Sequence, residues 1–214
     1  MAKAPHKQLL QLPGPAGQLE AMLETPEEAT APARVAVVCH PHPLYQGTML
    51  NKVVHTLARA MNDLGMAALR FNFRGVGASA GEYADGDGEV DDLLAVCDWV
   101  RAEWPAAEIW LAGFSFGGVI AARAAAAAEA SRLISIAPAV NILGAALAQR
   151  PVMPWLIVQG EADDVVPAAD VQAFVASCAS DGEPAPELVM VPGAGHFFHG
   201  HLVDLRRILV ERLG

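Results

Sequence analysis

The sequence predicts an α/β fold in which a mostly parallel sheet carries helices on both faces. Strand-like and helix-like segments alternate from Arg34 onward, which is the pattern of parallel strands joined by crossover helices. The strand-like segments are short, continuous apolar runs, as is typical of strands covered on both faces. Ahead of them, Gln8–Leu23 holds two alternating stretches around the turn-forming sequence Pro13–Gly17, which predicts an antiparallel hairpin.

Each later element is predicted from its local pattern. The first helix is indicated by apolar residues spaced three and four apart, and Gly65 stops it. Strands are predicted at Arg34–Cys39, Met66–Phe71, Ile109–Ala112, Leu133–Ile136, Trp155–Gln159 and Leu188–Val191. Helices are predicted at Leu50–Leu64, Val90–Trp104, Phe116–Ala130, Ala168–Cys178 and Leu202–Leu213.

The composition is that of a chain with a sizeable hydrophobic core. The 214 residues are 53% hydrophobic and 18% charged, which excludes an intrinsically disordered chain. A chain of this length can bury roughly 70% of the surface that it exposes when unfolded. Since no internal repeat and no long linker divides it, we expect residues 1–214 to form a single domain.

The net charge of −10 argues against nucleic acid or an anionic membrane as a partner, because the Lys and Arg residues are scattered. The N-terminus has no apolar run of signal-peptide length, and the longest apolar run, Ile109–Ala122, is too short to span a membrane. The three cysteines, Cys39, Cys97 and Cys178, lie in apolar or helical contexts that suit buried free thiols. We expect a soluble, cytoplasmic protein.

The segment Gly113–Gly117 reads Gly-Phe-Ser-Phe-Gly and lies between a predicted strand and a predicted helix. A serine hydroxyl is a poor nucleophile, so it must be presented sharply to a base. The strained strand-to-helix turn that does this needs small flanking residues, which Gly113 and Gly117 supply. The helix that follows aims its N-terminal amides at the site, where they favour an anion. The pattern predicts Ser115 as a nucleophile.

An acid and a base follow at the ends of later strands. Asp163 and Asp164 come after the strand Trp155–Gln159, and His196 comes after the strand Leu188–Val191. The chain order Ser, Asp, His is the order expected of a hydrolase built on this type of sheet. Each of the three roles therefore falls at the carboxyl edge of a strand, in the expected sequence.

These motifs resemble those of the α/β-hydrolase superfamily, and more narrowly those of small lidless bacterial serine hydrolases with a His-Pro-His-Pro loop after the third strand. The first two of the matching pieces are specific to that subgroup, and the others are common to the superfamily. The pieces are Cys39–Val54, Leu69–Glu82, Gly113–Gly118, Gly160–Pro167 and Gly193–Gly200. The resemblance implies an α/β-hydrolase fold without a cap domain and a serine hydrolase that acts on ester-like bonds.

The resemblance also implies a role for individual residues. Ser115 corresponds to the nucleophile and His196 to the general base, which later acts as the acid. The family pattern puts the orienting acid three residues after a glycine, at Asp163, and the adjacent Asp164 remains the alternative. The acid that does not orient the histidine is expected to cap the loop before the helix that begins at Ala168.

The oxyanion of a tetrahedral intermediate would need two backbone donors. One is the N–H of Phe116, the residue after the nucleophile. Many relatives carry His-Gly-X after the third strand and donate from X, a position that aligns with His42. Pro41 and Pro43 have no N–H, and Leu44 remains the alternative to His42 if the register slips by two residues.

The histidines also invite a metal hypothesis. His196, His199 and His201 are close in sequence, as are His40 and His42, but no recognised ligand spacing accompanies them. We therefore expect neither a metal nor another cofactor.

Two further patterns are interpreted as structural. Asp85, Asp87 and Glu89 resemble part of a calcium loop, but Val90 stands where that pattern needs glycine, and acidic residues also favour a helix N-terminus. Gly75–Ala80 matches a dinucleotide-binding fingerprint, yet more glycines follow it instead of a helix, which indicates a loop.

The function expected from these residues is hydrolysis of a small ester or thioester through an acyl-enzyme on Ser115, as in a carboxylesterase. Lidded relatives carry a cap where this chain has only Ala137–Pro154, with room for one short helix, so we expect an open pocket that favours short acyl chains.

The alternatives are an acyltransferase or a peptidase with the same triad, or a catalytically silent binding protein on this scaffold. A serine nucleophile argues against a dehalogenase, which needs Asp, and a dienelactone hydrolase, which uses Cys. The natural substrate and the oligomeric state stay open.

Overall fold

The computed structural model describes residues 5–26, 31–142, 151–180 and 185–214. Its strands are β1 (His6–Gly14), β2 (Gly17–Thr25), β3 (Arg34–Cys39), β4 (Ala67–Phe71), β5 (Glu108–Phe114), β6 (Arg132–Ile136), β7 (Trp155–Gly160) and β8 (Glu187–Val191). Its helices are α1 (Lys52–Asp63), α2 (Asp87–Glu103), α3 (Phe116–Ala124), α4 (Ala168–Ser180) and α5 (Leu202–Leu213), together with a 3₁₀ turn at Pro43–Tyr45. No helix within these ranges is long and apolar enough to cross a membrane.

The described strands form one sheet in the order β1-β2-β4-β3-β5-β6-β7-β8. The predicted hairpin is confirmed: β1 and β2 are antiparallel with Gly14 opposite Gly17, and β2 runs antiparallel to β4. From β4 to β8 all neighbouring strands are parallel. The carboxyl ends of β3, β5, β7 and β8 therefore meet at one edge of the sheet, and the predicted fold class is confirmed.

Helices cover both faces of the sheet because side chains along a strand alternate between the faces. In β3, Val35, Val37 and Cys39 point into a core that α2, α3 and α4 complete. Ala36 and Val38 point to the other side, into a core completed by α1 and α5. Both faces of the central strands are thus buried, as their continuous apolar runs predict.

The start of α2 differs from the predicted start at Val90. The helix begins at Asp87, because the side chain of Glu89 accepts hydrogen bonds from the N–H groups of Ala84 and Gly86 at 3.0 and 2.8 Å. A glutamate that turns back to the preceding N–H groups stabilises the first turn of a helix. The predicted acidic helix N-terminus is confirmed, and it begins earlier than the apolar pattern alone indicates.

The end of α3 also differs from the prediction, since the helix ends at Ala124 instead of Ala130. Glu129 adopts a left-handed conformation with φ 42°. Its N–H bonds the carbonyl of Ala126, and the N–H of Ala130 bonds the carbonyl of Ala125. This is the hydrogen-bond pattern of a Schellman closure, and here it ends the turns that follow α3, whatever the alanine content of the segment.

The segment between β6 and β7 is described only in part. Residues 140–142 are helical, and residues 143–150 lie outside the described residues. The single short helix expected between these strands therefore falls mostly on residues of which the structure gives no description.

Candidate active site

Ser115, Asp163 and His196 lie together at the carboxyl edge of the parallel strands. Ser115 follows β5 directly, while Asp163 and His196 lie in the loops after β7 and β8. The Oγ of Ser115 is 3.1 Å from Nε2 of His196, and Nδ1 of His196 is 2.9 Å from Oδ2 of Asp163. The Asp163 and His196 side chains are buried, at 0% and 4% exposure. The structure thus brings into contact the three side chains that the sequence singles out.

The backbone at Ser115 is strained in the way that the sequence motif predicts. Its φ of 54° and ψ of −118° lie in a region that non-glycine residues rarely adopt. A Cβ atom at Gly113 would overlap the carbonyl oxygen of Gly117, and one at Gly117 would overlap that of His40. Both glycines are therefore required by close backbone approach, and they allow α3 to start directly beneath the loop that follows β3.

The Asp163 carboxylate accepts hydrogen bonds at both oxygens. Its Oδ1 accepts from the N–H groups of Val165 and Val166 at 2.9 and 2.8 Å. Its Oδ2 accepts from His196 and from Nε2 of Gln159, each at 2.9 Å. Burial alone would raise the pKa of Asp163, but the hydrogen bonds from His196, Val166 and Val165 outweigh burial and hold that pKa below its ordinary value.

The adjacent acid does not have the capping role expected of it. Asp164 is exposed, and the loop N–H groups before α4 are bound by Asp163 instead. The expectation that the second acid caps this loop is therefore wrong, because Asp163 both caps the loop and contacts His196. Sequence reasoning also missed Gln159, which it treated only as the last residue of a strand. No sequence pattern marks a glutamine at a strand end as the partner of an acid in the following loop.

Two backbone N–H groups beside Ser115 are candidates for binding an oxyanion. Phe116 is the first residue of α3, so its N–H has no acceptor within the helix. The rings of His42 and Phe116 are in contact, with centroids 4.7 Å apart, so the loop after β3 adjoins the start of α3. The N–H of Leu44 already donates to Nδ1 of His42 at 3.2 Å. This hydrogen bond favours His42 over Leu44 as the second candidate donor.

The side chain of His42 fixes the loop that carries it. Because Nδ1 accepts from the Leu44 N–H, the proton of the neutral ring lies on Nε2, which is 3.3 Å from Oη of Tyr83. Burial lowers the pKa of His42, with the charge of Glu89 acting in the opposite direction. A neutral ring with this tautomer caps the 3₁₀ turn and joins it to the loop before α2.

His40 has a different role from the histidine that contacts Ser115. Its ring is buried, with Nδ1 2.6 Å from the carbonyl oxygen of Pro41 and Nε2 accepting from the N–H of Phe73 at 3.1 Å. Because Nε2 accepts, the ring proton lies on Nδ1 and is donated to Pro41. Burial lowers the pKa of His40 to about 4. The neutral ring thus ties the loop after β3 to the chain after β4.

A cleft of about 360 Å³ opens onto Ser115. Its mouth is apolar, since Tyr45, Val165 and Phe197 are 82%, 57% and 45% exposed. The described residues that line it include no Asp, Glu, Lys or Arg; they are Pro41, His42, Tyr45, Gln46, Asn51, Ser115, Val165, His196 and Phe197. Such a lining favours an uncharged ligand with an apolar group.

The other patterns of the sequence have structural surroundings. Within the described ranges, no group of three or more His, Cys, Asp or Glu side chains is arranged to hold a metal ion. Gly75–Ala80 forms a loop, as predicted, and the N–H of Ala80 donates to the carbonyl of Gln18 in β2 at 2.8 Å. Asp85 lies outside the first turn of α2, with φ 52°.

Comparisons with known proteins agree with this architecture. Residues 48–150 match the sequence model of the family described as serine aminopeptidase, S33. The structure of an α/β serine hydrolase homologue from Coxiella burnetii is 48% identical, with 100% of both chains covered and a TM-score of 0.87. An α/β serine hydrolase without lid from Xanthomonas campestris is 44% identical, with 96% of this chain and 93% of that chain covered and a TM-score of 0.89. An uncharacterised protein from Rickettsia prowazekii is 39% identical, over 86% of this chain and 79% of its own length.

Proposed function

Because this chain belongs to the α/β-hydrolase superfamily of serine hydrolases, we propose that it hydrolyses small, uncharged esters or thioesters through an acyl-enzyme on Ser115. The observation that carries the proposal is the continuous contact from the Ser115 hydroxyl through the His196 ring to the Asp163 carboxylate, at 3.1 and 2.9 Å. A hydroxyl activated by a base that an acid orients is the arrangement needed for acyl transfer to serine.

The reaction begins at the serine. Ser115 Oγ attacks the carbonyl carbon while Nε2 of His196 takes its proton, and the carbonyl oxygen becomes an oxyanion that accepts hydrogen bonds from the N–H groups of His42 and Phe116. The bond to the leaving oxygen or sulfur then breaks, and His196 returns the proton to the departing alcohol or thiol. Water repeats both steps on the acyl-enzyme and frees the acid. No cofactor takes part in this sequence.

Asp163 orients the base. Its Oδ2 accepts the Nδ1 proton of His196, which leaves the Nε2 lone pair directed at Ser115. The hydrogen bonds that lower the pKa of Asp163 keep the carboxylate ionised, so it stabilises the imidazolium that forms during each proton transfer.

The lining of the cleft supports the substrate class. An uncharged ester would lie with its reacting carbonyl at Ser115 and an apolar group against the exposed side chains of Tyr45, Val165 and Phe197. A cleft of about 360 Å³ lies near the lower end of the range for small-molecule sites, which supports a small substrate.

An aminopeptidase is the second candidate, because the matching family model carries that description. The free α-ammonium group of such a substrate calls for a carboxylate near the serine. The described residues of the cleft supply no carboxylate to its wall, which favours the ester over the peptide. An amino acid p-nitroanilide distinguishes the two, since only a peptidase would hydrolyse it faster than the Ser115→Ala variant does.

The test of the proposal is turnover of p-nitrophenyl butyrate beside a p-nitrophenyl ester whose acyl group ends in a carboxylate. We expect the butyrate to be hydrolysed, Ser115→Ala to abolish this turnover, and the charged ester to have a kcat/KM at least about tenfold lower. Phe197→Ser should raise KM for the butyrate, whereas Val203→Ser, at an equally apolar and 82% exposed position on α5, should not. Hydrolysis that survives Ser115→Ala would contradict the proposal.

A further inference from the structure

The amide of Gln159 is a buried contact of Asp163 that lies outside the three reacting side chains. Gln159 is the penultimate residue of β7 and has 0% of its surface exposed. Its Nε2 is 2.9 Å from Oδ2 of Asp163 and 2.9 Å from the carbonyl oxygen of Val166, and it lies 3.4 Å from the carbonyl oxygen of Gly160. One amide nitrogen thus contacts the carboxylate and the loop that presents it.

The orientation of this amide is fixed by its surroundings. No donor among the described residues bonds Oε1 of Gln159. Turning the amide over would set Oε1 against the acceptor oxygens of Asp163 and Val166, which is unfavourable. Only the nitrogen half of this buried amide is paired. An apolar side chain of the same length would remove the unpaired Oε1, but it would also take a donor away from the Asp163 carboxylate and from the Val166 carbonyl. The contacts that the amide provides are therefore those of its nitrogen, and the carboxylate is one of them.

We propose that Gln159 is a positioning residue for the reaction, acting through Asp163; this inference rests on the proposed function. The Oδ2 of Asp163 lies between two donors, Nδ1 of His196 and Nε2 of Gln159, and the Oδ1 accepts two backbone N–H groups. Every side of the carboxylate is held, so it cannot rotate away from His196. Gln159 also shares the negative charge of Oδ2 with His196, which limits how strongly the imidazolium is stabilised.

The chain offers a matched control in Asn62. Its Nδ2 donates to the carbonyl oxygens of Glu24 and Met66 at 3.1 Å each, and its Oδ1, like Oε1 of Gln159, has no donor among the described residues. Asn62 lies in α1 and contacts the segments at β2 and β4, which β3, β5 and β6 separate from the β7 strand that precedes Asp163. Asn62→Leu removes a partly buried amide with an unpaired oxygen, and Gln159→Met removes a fully buried one. Both variants should lose stability, and only the second should alter the reaction.

The experiment compares the pH–rate profiles of wild type, Gln159→Met, Gln159→Glu and Asn62→Leu with p-nitrophenyl butyrate. In Gln159→Met we expect kcat to fall about tenfold with KM unchanged, because a misplaced Asp163 affects the reaction and not the cleft. Its acid limb should move by about half a pH unit, because the loss of the Gln159 donor and the displacement of Asp163 change how strongly Oδ2 holds the imidazolium. Asn62→Leu should keep the wild-type kcat and acid limb.

The Gln159→Glu variant provides a second readout. The introduced carboxyl group can donate to Asp163 only while it is protonated, since two adjacent carboxylates resist ionising together. Its activity relative to wild type should therefore fall as pH rises, whereas that of Gln159→Met should be low throughout. A kcat within twofold of wild type and an unmoved acid limb in both Gln159 variants would overturn the inference while leaving Ser115-dependent hydrolysis, and hence the proposed function, intact.

An NMR measurement tests, independently of turnover, whether Gln159 acts on the contact between Asp163 and His196. The proton on Nδ1 of His196 should give a downfield NMR resonance in wild type, and Gln159→Met should shift it while Asn62→Leu should not. An identical resonance in Gln159→Met would overturn the inference even if no substrate were hydrolysed. The opposite case, a shifted resonance without any Ser115-dependent hydrolysis, would support the positioning contact and reject the proposed function.

Discussion

Two buried histidines that follow parallel strands, His40 after β3 and His196 after β8, differ in what their ring nitrogens contact. Both nitrogens of His40 bond backbone groups, the carbonyl of Pro41 and the N–H of Phe73. Both nitrogens of His196 meet side chains from other loops, Ser115 on one side and Asp163 on the other.

Burial alone therefore does not identify a catalytic base. His40 and His196 are 0% and 4% exposed, so exposure cannot separate them. What separates them is whether a ring nitrogen faces a hydroxyl while an acid holds the other nitrogen. A ring bonded only to the backbone stabilises a loop; a ring between an acid and a hydroxyl is placed to move a proton.

The largest expected effect comes from exchanging each ring for a methyl group. His196→Ala should lower kcat for p-nitrophenyl butyrate by about 10⁴-fold or more, because the base is lost. His40→Ala should lower kcat by only about tenfold, yet reduce the free energy of unfolding by about 3 kcal/mol, because a buried polar network and its packing are lost. Steady-state kinetics measures kcat, and urea unfolding measures the free energy of unfolding. Equal losses of kcat in the two variants would contradict the assignment of His196 as the base and of His40 as a residue that stabilises a loop.

The next effect concerns the acid that holds the His196 ring. Asp163→Asn should lower kcat by about 10³- to 10⁴-fold, because an amide supports the wrong tautomer of the imidazole. Asp164→Asn serves as the neighbouring control and should stay within about twofold of wild type, since Asp164 is exposed. The same kinetic assay applies, and a large loss at Asp164 combined with a small one at Asp163 would reverse the assignment.

A smaller effect is expected at the loop that His40 holds. His42 has φ −51°, which a proline ring accommodates, so His42→Pro removes the candidate oxyanion donor with little change in backbone shape. Relative to His42→Ala, which keeps the N–H, we expect a further loss of about 100-fold in kcat. If the two variants have equal kcat, the donor lies elsewhere, and Leu44→Pro becomes the variant to measure.

The smallest effect is the pH dependence of stability due to His40. Its pKa is about 4 in the folded protein against an ordinary value of about 6.5, so the unfolded chain binds the proton more readily. Its contribution to stability is complete above about pH 6.5 and is lost as pH falls toward 4. Between pH 7 and pH 5, the free energy of unfolding should fall by about 2 kcal/mol more in wild type than in His40→Gln. Parallel pH dependences would contradict the buried neutral ring.

Much of this arrangement can be predicted from the sequence, because it depends on local patterns. The apolar runs predict strands, the spacing of glycines around Ser115 predicts a strained turn, and the order of Ser115, Asp163 and His196 predicts that they meet at one sheet edge. The structure places these three side chains in contact, and their catalytic roles stay predictions.

The remainder depends on contacts between distant segments. Gln159 contacts Asp163 only because β7 ends where the following loop turns back, and no spacing rule predicts that turn. The capture of the Leu44 N–H by the His42 ring depends on a side-chain rotamer. The turns that follow α3 close at a left-handed glutamate, a conformation that its residue type does not favour.

Whether His196 activates Ser115 is tested by the mass of the intact protein after treatment with a fluorophosphonate. An activated serine should form one adduct, mapped to Ser115 by peptide sequencing, absent in Ser115→Ala and formed far more slowly in His196→Ala. His40→Ala should still form it, at a rate within about tenfold of wild type. A native protein that acquires no adduct, or that acquires it equally fast without His196, would contradict the account.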